Sequence, residues 1–188
     1  MIHARFLLGL LLLLGCVAPR ADAAVAPLFP KEITLAGESF RKLGEYRYVY
    51  RLFFDLYDAA LFAPDNATAG QILDAATPFR LQFRYLRTID KSIILKSADR
   101  MLEKNLSPEE RALIAKRVGR INAAYTTVNE GDTSSLTYQP GHGTTLRVNG
   151  EPKLTIEGQD FAKLYFRIWL GDKPLDKALY KGMMEKME

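Results

Sequence analysis

The chain has 188 residues, with 26 Lys and Arg against 22 Asp and Glu for a formal net charge of +4, and it carries one cysteine and two histidines. The charges are interspersed, so no basic stripe marks a nucleic-acid surface, and so few thiols and imidazoles leave no basis for a disulfide framework, a transition-metal centre or a cofactor. The length suits one domain with a substantial core and is short for two.

Residues 1–23 read as a cleavable secretory signal: Arg5, the apolar run Phe6 to Ala18, then Ala21-Asp22-Ala23, the small-x-small pattern of a signal peptidase site. The apolar run is about 13 residues, whereas a helix needs about 20 to span a bilayer, so a retained anchor is the weaker reading. Cleavage after Ala23 leaves residues 24–188 as one domain, periplasmic or secreted. A competing site, Leu13-Leu14-Gly15-Cys16, resembles the bacterial lipobox and leaves a lipidated Cys16. Only that route brings the domain to a membrane.

Ile33 and Leu35 before Ala36-Gly37-Glu38 predict an opening hairpin, and the β-branched and aromatic run from Glu45 to Phe62 predicts strand, long for a single one. A short helix is expected over Ala69 to Ala75. Phe79, Leu81, Phe83 and Tyr85 alternate with Arg80, Gln82 and Arg84, the pattern of a half-buried strand whose arginines form a solvated sheet face or, alternatively, widen a basic cleft. The period then changes to that of a helix, from near Asp90 to near Asn105. Ser107-Pro108-Glu109-Glu110 is a capping box that starts a second helix, with Leu113, Ile114, Val118 and Ile121 as its apolar face. Strands return at Ser135 to Tyr138, Thr144 to Val148 and Lys153 to Glu157, the last two joined across Asn149-Gly150. His142, between two glycines, reads as a turn residue. An amphipathic helix carrying Phe161, Leu164, Tyr165, Ile168 and Trp169 stops at Gly171 and Pro174, and a last helix covers Leu175 to Met184. The order implies an α+β fold, one antiparallel sheet with helices on one face.

Three ordered blocks, GEYRYVYRLFFDLYDAALFAP, GDTSSLTYQPGHGTTLRVNG and DFAKLYFRIWLGDKP, resemble the bacterial exported (periplasmic) branch of the chalcone isomerase-like family over about residues 32 to 184. The resemblance implies an open-faced β-sandwich, a large curved antiparallel sheet with helices packed against it and a cleft between. The family contains isomerases that cyclise chalcones and non-catalytic relatives, some of which bind fatty acids. The threonine of the isomerases falls here on Tyr57, as in the fatty-acid-binding branch. Their helix tyrosine and asparagine fall on Ile93 and Arg100, which implies a chain without chalcone isomerase activity. The family arginine falls on Val49, with Arg47 and Arg51 the nearest guanidiniums.

Arg47, Arg51 and Tyr57 share parity, so in an unbroken strand they face one way, and a bulge between them would separate them. The expected site is therefore one guanidinium and the Tyr57 hydroxyl holding the carboxylate of a fatty acid or similar small amphipathic molecule, with no metal. The bland alternative leaves both arginines on a solvated face and Tyr57 as a structural tyrosine. Three functions stay open: a non-catalytic binding protein, an intramolecular lyase or isomerase using an arginine and Tyr57, and a purely structural role.

Overall fold

The alternation along Phe79–Tyr85 divides the whole sheet into two chemically distinct faces. A computed structural model describes residues 28–51 and 53–187. The expected signal peptide, its cleavage point after Ala23 and Cys16 lie outside the described residues. Seven strands, β1 (Glu32–Leu35), β2 (Glu38–Tyr50), β3 (Phe54–Ala63), β4 (Phe79–Tyr85), β5 (Thr133–Gln139), β6 (Gly143–Val148) and β7 (Glu151–Ile156), form one antiparallel sheet in sequence order. Between and after them lie α1 (Ala69–Leu73), α2 (Lys91–Asn105), α3 (Pro108–Ala124), α4 (Gln159–Tyr165), α5 (Arg167–Leu170) and α6 (Lys177–Met183). The expected α+β, open-faced architecture is what is found.

One face of the sheet carries Tyr57, Ala59, Leu61, Phe79, Leu81, Phe83, Leu136 and Leu146, all buried together with Phe161, Tyr165, Ile168 and Trp169 of α4 and α5 in the main core. Burying each such side chain contributes about 1.5–3 kcal/mol, which is what fixes the helix layer to this face. The other face is concave. A smaller apolar cluster, Phe29, Phe40, Ala60 and Phe62, fills part of it, and Leu35 of edge strand β1 comes to share a groove with Arg80 of β4 and Arg147 of β6. Strands that far apart in the sheet order meet only because the sheet curls into a half-barrel.

Local signals act as read. Ser107 and Glu110 cap α3 reciprocally, Asp90 caps α2, and Asn149 and Gly150, both at positive φ, turn β6 into β7. Three expectations need correction. The run Glu45 to Phe62 is two strands, because the chain reverses at Arg51, which adopts a left-handed φ of 51°. The Phe161 to Trp169 helix is broken at Phe166 into α4 and α5. Leu113 is 61% exposed, since α3 rests on the domain through Ile114 and Ile121 instead.

Backbone approaches backbone where α6 crosses β2. A β-carbon on Gly44 would overlap the carbonyl of Gly182, and one on Gly182 would lie 2.8 Å from the Tyr46 ring. Only glycine at both positions permits this contact.

Candidate functional site

The reversal at Arg51 separates the three expected ligand-binding residues. Arg47 pairs with Asp58 across the β2–β3 ladder and Tyr48 pairs with Tyr57, so Arg47 and Tyr57 point to opposite faces. Arg51 is exposed in the turn itself, its guanidinium 5.3 Å from the Tyr50 ring centre. The three do not converge, and the same-face arrangement expected of an unbroken strand is corrected here.

On the concave face, Arg47 is spent on a carboxylate of the protein. Its Nε donates to Asp58 Oδ1 at 2.7 Å, while Arg84 Nη2 donates to Asp58 Oδ2 at 2.6 Å. Asp58 is fully buried and both arginines keep about two-fifths of their side chains in water. Asp55 adds a weaker contact to Arg47 at 3.5 Å. The Asp58 hydrogen bonds raise the Arg47 pKa further above its ordinary value. A buried aspartate in the middle of an apolar strand, opposite two arginines of matching parity, was missed by the sequence reasoning. Its signal was there, an acid flanked by Tyr57 and Ala59 in an otherwise apolar run.

On the helix-covered face, Tyr57 is packed among aromatics, with ring centres 5.1 Å from Tyr48, 5.5 Å from Phe83 and 6.2 Å from Tyr85. Phe83 in turn meets Trp169 of α5 at 5.6 Å. Tyr85 and Ser134 share a hydrogen bond of 2.9 Å. Burial drives the Tyr57 hydroxyl well above the ordinary phenol pKa, and the nearby acidic groups, Tyr48, Tyr85 and Asp176, push the same way. Tyr57 is therefore protonated throughout the physiological range. Its hydroxyl is buried among aromatic rings.

A hollow lies in the helix layer. It sits between α2 and α3, measures about 670 Å³, and is walled by Leu102 of α2, Leu106 at the C-terminal cap of α2, and Ile114, Ala115 and Val118 of α3. Its volume falls within the roughly 300–1,000 Å³ usual for small-molecule sites. Four polar side chains also line it, the carboxylates of Asp99 and Glu103, Arg111 and Asn122. Arg111 donates to Asp99 at 3.1 Å across the rim, and the Asn122 Oδ1 is buried with no hydrogen-bond partner among the described residues. None of Arg47, Arg51 and Tyr57 lines this hollow. Ile93 and Arg100, which stand where isomerases carry tyrosine and asparagine, are both exposed on α2. Among the described residues no cluster of three or more His, Cys, Asp or Glu is arranged for a metal, and no helix is long and apolar enough to cross a membrane.

The sequential half-barrel with its one-sided helix layer defines a known class. A family model described as chalcone isomerase-like matches residues 26–185, and the chain belongs to that family. Among solved structures, it is similar to a fatty-acid binding protein of Arabidopsis thaliana, with 15% sequence identity, a TM-score of 0.62, and coverage of 85% of this chain and 92% of that one. At that identity the likeness concerns the fold. No curated protein sequence matches the chain.

Proposed function

We propose that this protein is a non-catalytic binding protein for a fatty acid or similar small amphipathic carboxylate, held between α2 and α3. The observation that carries the reading is the hollow itself: a slot walled by aliphatic side chains, edged by Arg111 with Asp99 and Glu103, on helices laid against a fold shared with a fatty-acid binding protein. Each methylene buried there contributes about 0.8 kcal/mol, and a hydrogen bond to a carboxylate about 1.5–3 kcal/mol, so a chain of ten or more carbons is held mainly by the slot. Arg111 supplies orientation. Its partner Asp99 is 65% exposed, and so open a pair is weak, about 0–1 kcal/mol, which leaves guanidinium donors for a ligand carboxylate.

The rival enzymatic reading, an intramolecular lyase or isomerase using an arginine and Tyr57, is not favoured by Arg47 on the sheet face opposite Tyr57 or by Arg51 in an exposed turn. Export is part of the proposal and rests on residues 1–23. A mature protein starting at Ala24 is expected, and one starting at a lipidated Cys16 replaces free diffusion with a membrane-tethered form.

Native mass spectrometry of the protein purified from its cells tests the binding. A co-purifying mass in the fatty-acid range is expected, and it is lost in Ala115→Trp, which fills the slot from an exposed helix position. A protein that carries no lipid and takes up none from added dodecanoate would end the proposal.

A further inference from the structure

The concave face of the sheet, opposite the helices and separate from the α2–α3 slot, holds a second groove of about 290 Å³. Arg80 of β4 and Arg147 of β6 both line it, and none of the side chains lining it is a carboxylate. The two guanidiniums stand in contrast to Arg47 and Arg84 on the same face, which share Asp58. Among the described residues, neither Arg80 nor Arg147 has an acidic partner within 4.0 Å. Arg80 spends only its Nε, on the Thr137 hydroxyl at 2.8 Å. Arg147 spends Nη1 on the carbonyl of Gly150 at 2.8 Å.

Donors are thus left over on two half-buried guanidiniums that line the same groove. A guanidinium has five N–H groups, and most of those on this pair have no protein acceptor. Arg80 is half-buried, and its pKa is lowered first by that burial and then by the charge of Arg147. Like charges brought together on a partly desolvated surface oppose folding unless something neutralises them. The floor adds neutral donors. Ser135 is buried on the strand between the two arginines, directly opposite both Gln82 and Arg147 in the ladders. Neither the Ser135 hydroxyl nor the Gln82 amide is used in a hydrogen bond with another described residue. The overhang of Thr34 and Leu35 from β1 gives the groove its second wall.

We propose that this groove binds a small, doubly charged oxyanion of the phosphate type, bridged by Arg80 and Arg147 with Ser135 and Gln82 as neutral donors. A single carboxylate is satisfied by one guanidinium fork, whereas two forks on separate strands match a dianion with acceptor oxygens on both sides. The volume sits at the lower end for small-molecule sites, so the anion is inorganic phosphate or the phosphoryl end of a small molecule.

Thermal unfolding of the mature chain in inorganic phosphate, glycerol 3-phosphate, acetate and sodium chloride at matched ionic strength tests this. Phosphate near 100 times its dissociation constant should raise Tm by roughly 5–10 °C over chloride, and acetate should act as chloride does. A larger shift with glycerol 3-phosphate than with phosphate assigns the site to a phosphorylated small molecule, and the reverse assigns it to the free ion. Arg147→Gln should raise the Tm without phosphate, by removing the repulsion, and abolish the phosphate-dependent rise. Arg147→Lys, which keeps the charge without the fork, should retain part of it. Equal shifts in phosphate, acetate and chloride, or an undiminished phosphate response in Arg147→Gln, would overturn the proposal.

Discussion

Arg47 and Tyr57 sit on adjacent rungs of the β2–β3 hairpin and on opposite faces of the sheet. One rung therefore divides the molecule's chemistry into an ion-pair face around Asp58 and an aromatic face around Tyr57.

The Asp58 network should respond unevenly to mutation. Arg47→Ala or Arg84→Ala alone leaves the carboxylate one partner and should cost under about 1 kcal/mol, as for other partly exposed pairs. Removing both strands a fully buried charge, and urea denaturation of the double variant should show a loss of about 3–5 kcal/mol. Additive small losses would mean that Asp58 reaches water in their absence.

Tyr57→Phe should leave fatty-acid binding unchanged and alter stability by no more than about 1 kcal/mol, since the ring packing is retained and a single hydroxyl is lost. Arg111→Ala should instead weaken dodecanoate binding by roughly 10-fold or more, the equivalent of one charge-assisted hydrogen bond. Titration calorimetry separates the two variants. A loss confined to Tyr57→Phe would return the ligand to the sheet–helix core.

Gly44→Ala should destabilise by about 1–3 kcal/mol, the range for forcing extra volume into a packed contact. Hydrogen exchange should locate the damage in α6 and the facing part of β2. An unaffected exchange pattern would show that α6 does not depend on this approach.

Asp160 is held below the usual aspartate range by the Arg117 side chain, which donates to it at 2.8 Å. A carboxyl whose folded pKa is depressed contributes stability above its unfolded pKa and loses it as pH falls through the folded value. The wild type should therefore lose its advantage over Asp160→Asn below about pH 4. Solvent screening limits the difference to about 0.5 kcal/mol, and it should shrink in high salt. A difference independent of pH would assign the contact to packing.

Much of the fold was legible because its signals are local. Alternation in Phe79–Tyr85, the capping box at Ser107 and the Asn149-Gly150 turn each depend on a few adjacent residues. The turn at Arg51 was not, since aromatic residues run through it and no Gly, Pro or Asn marks the positive φ that Arg51 adopts. That one missed reversal displaced the expected site, because face assignment by parity fails once the chain doubles back. The α2–α3 hollow was out of reach for a different reason: it depends on the angle between helices, which neighbouring residues do not encode. Arg80 read correctly as belonging to the open face, but its proximity to Arg147 arises only through the strand order.

The Gly44–Gly182 contact bears on how the domain is completed during synthesis. Every strand pairs with its neighbour in sequence, so the sheet can assemble progressively as the chain emerges. The seat for α6 is laid down early, on β2, while its occupant follows all seven strands. Until α6 arrives, Tyr46 lacks the backbone that closes over its ring, and the sheet can be complete while this seam is still open.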